Sequence, residues 1–123
     1  MASEAQHQAA VFKWSLLMRA RYPELKLLHA IPNGGRRDPI EATHLKQQGV
    51  KRGVPDLHLP VARRGFHSLY IEVKTDVGRT TPDQDWWHEE LIQSGNCVQV
   101  CRGWESAVAL LEWYLGGDPN GAM

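Results

Sequence analysis

Three ionisable residues, Asp56, Glu72 and Lys74, have types and spacing that could do chemistry together. The segment Leu69-Tyr-Ile-Glu-Val-Lys-Thr75 is rich in strong β-formers and reads as a strand. Side chains of a strand alternate faces, so Glu72 and Lys74 project to one side while Ile71, Val73 and Thr75 go to the other. Upstream, Asp56-Leu-His-Leu-Pro-Val61 leads toward Arg63-Arg64-Gly65-Phe66, which reads as a turn. An antiparallel hairpin with its turn near 64 to 65 puts Asp56 opposite Glu72 or its neighbour, and the even register sets the two carboxylates directly across from one another.

Opposed side chains on paired strands have Cβ atoms about 4.5–5.5 Å apart. Two like charges at that distance repel unless something neutralises them. A divalent cation does so: Mg²⁺ takes hard oxygen ligands, keeps several waters and accepts phosphate oxygens, and Mn²⁺ substitutes readily. The main-chain carbonyl of Val73 is a candidate third ligand. Lys74 can then orient or help deprotonate an attacking water and stabilise charge on phosphorus oxygens. The reaction class is metal-assisted phosphodiester hydrolysis. The competing reading is a cross-strand Asp/Glu/Lys salt-bridge cluster on an exposed sheet face, worth little energy. Spacing alone leaves both open.

The elements around this hairpin are punctuated clearly. Ser3 with Gln6 makes a capping box for a first helix whose inward side carries Val11, Trp14 and Met18. Glu4, seven residues before Val11, points along that same side; a carboxylate favoured by the helix dipole in the first turn is the simplest reason for it. Leu25 to Ile31 reads as a short apolar strand closed by Pro32, followed by a turn at Asn33-Gly34-Gly35. Asp38-Pro39-Ile40-Glu41 starts a helix expected to reach about Gln48 and stop at Gly49. Thr81-Pro82-Asp83-Gln84 starts another, through Trp86, Trp87, Leu91 and Ile92 to Gly95. Cys97 to Cys101 reads as a strand and Glu105 to Leu115 as a last helix. The order α-β-α-β-β-α-β-α implies an α/β fold, a mixed sheet flanked by helices with the two middle strands paired as a hairpin.

A chain of 123 residues fits one domain, expected over 1–117, with 118–123 as a flexible tail. Charged residues at 23% and hydrophobic ones at 42% exclude a disordered or membrane-embedded chain, and no apolar run is long enough to span a bilayer. The start, MASEAQHQ, lacks the pattern of a secretory signal, so a cytoplasmic location is expected. Cys97 and Cys101, four apart on a strand and roughly 13 Å from each other, are beyond disulfide reach. Neither a zinc spacing nor a P-loop occurs, so no nucleotide cofactor is expected. Net charge is zero but unevenly spread: Arg36, Arg37, Lys46, Lys51, Arg52, Arg63 and Arg64 outnumber acids between 36 and 64, and acids dominate from Asp83 to Asp118. The glycine-bearing loops with Arg36 and Arg37, and with Lys51 and Arg52, could carry amides and cations to phosphates or simply be turns. His29 and His58 read as structural strand residues that could also line the site. The adjacent Trp86 and Trp87 cannot share one helix face, which offers one of them to the core and the other to a subunit interface or an unpaired base.

Val54-Pro55-Asp56 followed by Ile71-Glu72-Val73-Lys74 resembles the PD-(D/E)xK nuclease signature. The likeness extends through Ser3-Glu4, His29-Ala-Ile-Pro-Asn-Gly-Gly35, Leu45-Lys46, Gly49-Val-Lys-Arg-Gly53, Gly78, Gln84 with Trp87, Leu91 and Gly95, and together these resemble the virus-type replication-repair nuclease (VRR-NUC) family. The resemblance implies a restriction-endonuclease-like core, a divalent metal and DNA as substrate. It implies Asp56 and Glu72 as metal ligands, Lys74 as the catalytic lysine, Glu4 as an acidic residue aiding the metal directly or through water, and Gln84 as a side chain reaching substrate or metal-bound water beside its capping role. Small stand-alone members in bacteria and phages are often dimeric and linked to branched DNA, so a homodimer cleaving four-way, Holliday-junction-like DNA is the leading expectation. A nuclease for flaps, ends or single strands, or a non-cleaving DNA-binding module, are the alternatives.

Overall fold

Helix starts fall where the short polar residues place them. A computed structural model describes residues 1–32 and 38–119; the expected turn at Asn33-Gly34-Gly35, the cations Arg36 and Arg37, and the end of the tail from Asn120 lie outside the described residues. Helix α1, Glu4–Leu17, opens on a capping box in which the Gln6 N–H donates to Ser3 Oγ and the Ser3 N–H donates to Gln6 Oε1. Helix α2, Pro39–Gln47, is capped by Asp38, whose Oδ1 accepts from the Glu41 N–H, and Gly49 at φ 95° takes the chain out of it. Helix α3, Pro82–Gln93, repeats the capping box with Thr81 and Gln84, and helix α4, Trp104–Leu115, follows Gly103. Among the described residues no helix is long and apolar enough to cross a membrane.

The first strand is shorter than its apolar run. Strand β1 spans only His29–Ala30, and Pro23–Leu27 forms a 3-10 turn in place of the strand expected from Leu25. Pro23 presets the helical φ, and in a 3-10 turn residues three apart share a side. Leu25 and Leu28 therefore enter the core while Leu27 stays 44% exposed; a strand would have sent Leu25 and Leu27 to the same face.

Strands β2, Leu57–Leu59, β3, Leu69–Lys74, and β4, Cys97–Arg102, complete a four-stranded sheet in the order β1-β2-β3-β4. The first two pairings are antiparallel, and β3 runs parallel to β4 through the α3 crossover. This is the expected mixed sheet flanked by helices, consistent with a restriction-endonuclease-like fold. One sheet face carries Leu57, Leu59, Leu69, Ile71, Val73, Cys97 and Cys101 into a core closed by Val11 of α1 and Ala107, Leu111 and Tyr114 of α4. Both cysteines are buried and free. The opposite face carries His58, Tyr70, Glu72 and Lys74, and α3 lies on it, since its side chains reach Glu72. Helix α2 contributes no buried residue.

The hairpin register rests on one extra residue. Arg64 and Gly65 both have positive φ, 54° and 83°, as a two-residue type I′ turn needs, and Arg63 bridges Phe66. Had that spacing continued, Asp56 would have faced Val73. Pro60, Val61 and Ala62 on one side instead oppose only His67 and Ser68 on the other, because Leu59 pairs with Leu69. The surplus is absorbed in a tight bend where the Val61 N–H donates to the Leu59 carbonyl. Leu57 then pairs with Ile71, and the next position out sets Asp56 across from Glu72.

Candidate active site

Asp56, Glu72, Lys74 and Gln84 come together where β2 begins and β3 ends, against the first turns of α3. Glu72 is 1% exposed and Lys74 5%, so the reading of this trio as an exposed salt-bridge cluster does not describe it. The Asp56 and Glu72 side chains share a hydrogen bond. Asp56 Oδ2 also accepts from the Val73 N–H at 2.8 Å, and its carbonyl from the Ile31 N–H at 2.8 Å. Val73, expected to offer its carbonyl, thus meets Asp56 through its N–H. Gln84 uses both ends of its amide: Oε1 caps α3 at the Thr81 N–H, and Nε2 donates to Glu72 Oε2 at 3.4 Å.

Burial first, then the hydrogen bond and charge of Asp56, push the Glu72 carboxyl up to about 9 from its ordinary 4.5; Lys74 opposes the shift and Glu4 adds to it. At neutral pH the facing carboxylates therefore hold a proton between them. Oxygen donors this close fit a hard divalent ion that keeps its own waters. Among the described residues no group of three or more His, Cys, Asp or Glu forms a ready-made cage.

His88 is the residue that the sequence reading passed over. Its Nε2 lies 3.1 Å from Glu72 Oε1, and burial, the largest of several influences, lowers its pKa from 6.5, so the contact is a hydrogen bond of a neutral ring at pH 7. The signal was available: Gln84 and His88 are four apart on α3 and share a face, so a helix aiming one at Glu72 aims both.

Glu4 arrives from the other side of the lysine. Its Oε2 is 4.0 Å from Lys74 Nζ, and its side chain is half exposed. The first turn of α1 is held there by His7, whose Nδ1 accepts from the Trp104 N–H. Gly78 lies alongside: a Cβ on it would stand 3.1 Å from Glu4 Oε2 and 3.4 Å from Lys74 Cδ, so a larger residue there would press on the Glu4 carboxylate. Arg102 holds that loop in place, its Nη1 donating to the carbonyls of Thr75 at 2.8 Å and Gly78 at 2.6 Å.

The expected DNA-binding cations are less confined. Lys46, Lys51 and Arg52 line a groove of about 600 Å³ with Thr43, Leu45 and Val50. Their loop is fixed at Gly53, where φ is +89° and a Cβ would meet the Asp83 backbone at 2.6 Å. Arg36 and Arg37 lie outside the described residues. His58 stacks on Tyr70 with centroids 4.2 Å apart, meets His29 edge-on, and joins Ser68 and Asn96 in a hydrogen-bonded chain.

Residues 2–105 match the family model of the VRR-NUC domain, a stretch holding every residue named above from Glu4 to Arg102. The chain belongs to the VRR-NUC family. A solved structure titled "VRR_NUC domain protein" is 31% identical to it, with a TM-score of 0.83 over 99% of this chain and 96% of that one. No curated protein matches. Membership makes the protein a nuclease of the PD-(D/E)xK type with DNA as its substrate class, and VRR-NUC nucleases are generally dependent on divalent metal.

Proposed function

We propose that this VRR-NUC protein is a divalent-metal-dependent endonuclease that hydrolyses phosphodiester bonds in branched DNA, Holliday-junction-like structures included, and acts as a homodimer in the cytoplasm with residues 1–117 as one nuclease domain. The observation that carries the reading is Asp56 facing the buried Glu72, with the buried Lys74 on the same sheet face.

Asp56, Glu72 and the Val73 carbonyl would hold Mg²⁺, or Mn²⁺ in its place, with Glu4 assisting directly or through water. Such an ion, when bound, supplies Lewis acidity to the phosphate and to the attacking water. To hold it, Asp56 and Glu72 would have to give up the proton they share. Gln84 and His88, both bonded to Glu72, would keep its carboxyl group aimed. Lys74, paired with Glu4 at 4.0 Å, is positioned to donate to the attacking water or to a phosphate oxygen as negative charge builds there. Lys46, Lys51, Arg52, Arg36 and Arg37 would hold backbone phosphates without reading sequence. Exposed apolar side chains such as Leu16, Leu17, Trp86 and Ile92 support a partner copy, and two symmetric incisions in a junction call for two sites.

The test is cleavage of a labelled four-way junction, a flap and a matched linear duplex with Mg²⁺, Mn²⁺ or chelator, alongside Lys74→Ala, with solution mass measured in parallel. Symmetric junction incision by a dimer, lost in chelator and in the variant, is expected. Preference for the flap would shift the substrate to ends and single strands, and equal cleavage by wild type and variant would remove the catalytic assignment.

A further inference from the structure

Beside the groove that holds Lys46 and Arg52 lies a second, of about 360 Å³, walled by Trp87, Ile31, Pro32, Val50 and Val54. Val50 and Lys51 line both, so a mostly apolar slot adjoins a cationic trough. The slot volume is within the range of small-molecule sites. Its walls are attached to both carboxylates. Val54 is two residues before Asp56, and the Ile31 N–H donates to the Asp56 carbonyl. Trp87 sits on α3 between Gln84 and His88, the two residues bonded to Glu72. Trp86 packs edge-on against Trp87, centroids 5.4 Å apart at 88°, which steadies the indole plane. Gly53, seated on Asp83, ties the loop wall to the helix wall.

Resting on the nuclease reading above, we propose that the Trp87 slot receives the base of one unpaired nucleotide next to the scissile phosphate, and that its strand continues across Lys51, Lys46 and Arg52. The chemistry favours this occupant. An aromatic wall in an apolar slot stacks on any base, since every base has a π-face. A base stacked within a duplex cannot enter without leaving its stack, and extruding it costs least where it is already unpaired. Cations in the adjoining trough neutralise the phosphates that follow. The slot thus makes a branch or gap at the cut a requirement of fit and gives the site its shape preference.

The experiment places a single abasic site in turn at each nucleotide flanking the mapped cut in a branched substrate, with wild type and with Trp87→Ala and Trp87→Phe. Cleavage is expected to fall roughly tenfold with Trp87→Ala and with one abasic position, without a further fall when they are combined, while Trp87→Phe keeps most activity. Uniform tolerance of abasic sites by wild type would overturn the slot, as would additive losses. The abasic series decides even if Trp87→Ala fails to fold, because it leaves the protein untouched. Wild-type protein that cleaves no DNA at all would instead overturn the nuclease reading.

Discussion

The end of β3 and the helix α2 both carry side chains assigned to the reaction or to its substrate, yet they are built in opposite ways. Glu72 and Lys74 are ionisable groups held inside the protein, each fixed by neighbours from another element: Asp56, Gln84 and His88 around one, Glu4 and the Gly78 loop around the other. Helix α2 buries nothing, leaves Ile40 71% exposed, and offers Lys46 from an open surface. The proposed bond-breaking would depend on sub-ångström placement, which accounts for the cost of burying a carboxyl and an amine there. Phosphate contacts tolerate slack, because a solvated cation attracts a polyanion from a range of positions.

Substitutions at the two places should separate these designs. Lys74→Ala is expected to lower the cleavage rate by roughly 10²–10⁴-fold with DNA affinity little changed, read as kcat and Kd measured separately. His88→Ala should cost about 10–100-fold in activity or metal affinity through a misaimed Glu72, measured by metal titration of cleavage. Lys51→Ala, on the open side, should weaken binding uniformly across sequences and reduce the slope of log K against log salt by about 1. An equal kcat loss from Lys51→Ala would erase the distinction between the regions. Smallest of all, Ile40→Ser should change unfolding free energy by about 0.5 kcal/mol or less, tested by urea denaturation.

A pH series sharpens the same comparison from the inner side. Between 4.5, where an unfolded glutamate titrates, and about 9, where folded Glu72 does, the metal-free native state holds a proton that the unfolded chain has released. Stability from this group is full below 4.5 and is lost as pH rises through that window. The Tm of metal-free protein should therefore fall toward pH 9, and added Mg²⁺ should raise it more at pH 8 than at pH 5, because the ion competes with the shared proton. Glu72→Gln should flatten the metal-free curve; a slope unchanged by that substitution would show that the proton resides elsewhere.

Much of this centre was legible from local rules. Alternation along β3 put Glu72 and Lys74 on one face, and the capping residues Ser3, Asp38 and Thr81 marked three helix starts at their true positions. What stayed hidden depends on distant parts of the chain. The 3-10 turn at Pro23 exists because Leu25 and Leu28 both find the core, which an apolar run does not disclose. The burial of Glu72, the grip of Arg102 on the Gly78 loop and the seating of Gly53 against Asp83 are products of packing between elements far apart in sequence. His88 was within reach of helical spacing once Gln84 had been aimed, but its partner is a strand residue that only the fold brings near.

The surplus residue in the β2–β3 hairpin ties the pairing of the two carboxyl groups to folding itself. Strand faces alternate, so a slip of one position that separated Asp56 from Glu72 would also turn Leu57 and Leu59 outward, at roughly 2–3 kcal/mol each. The hydrophobic side of the sheet thus works as an error check on the chemical side. Chains that complete the hairpin carry a matched carboxylate pair, and mispaired ones lack the core that would let them persist as inert, folded protein.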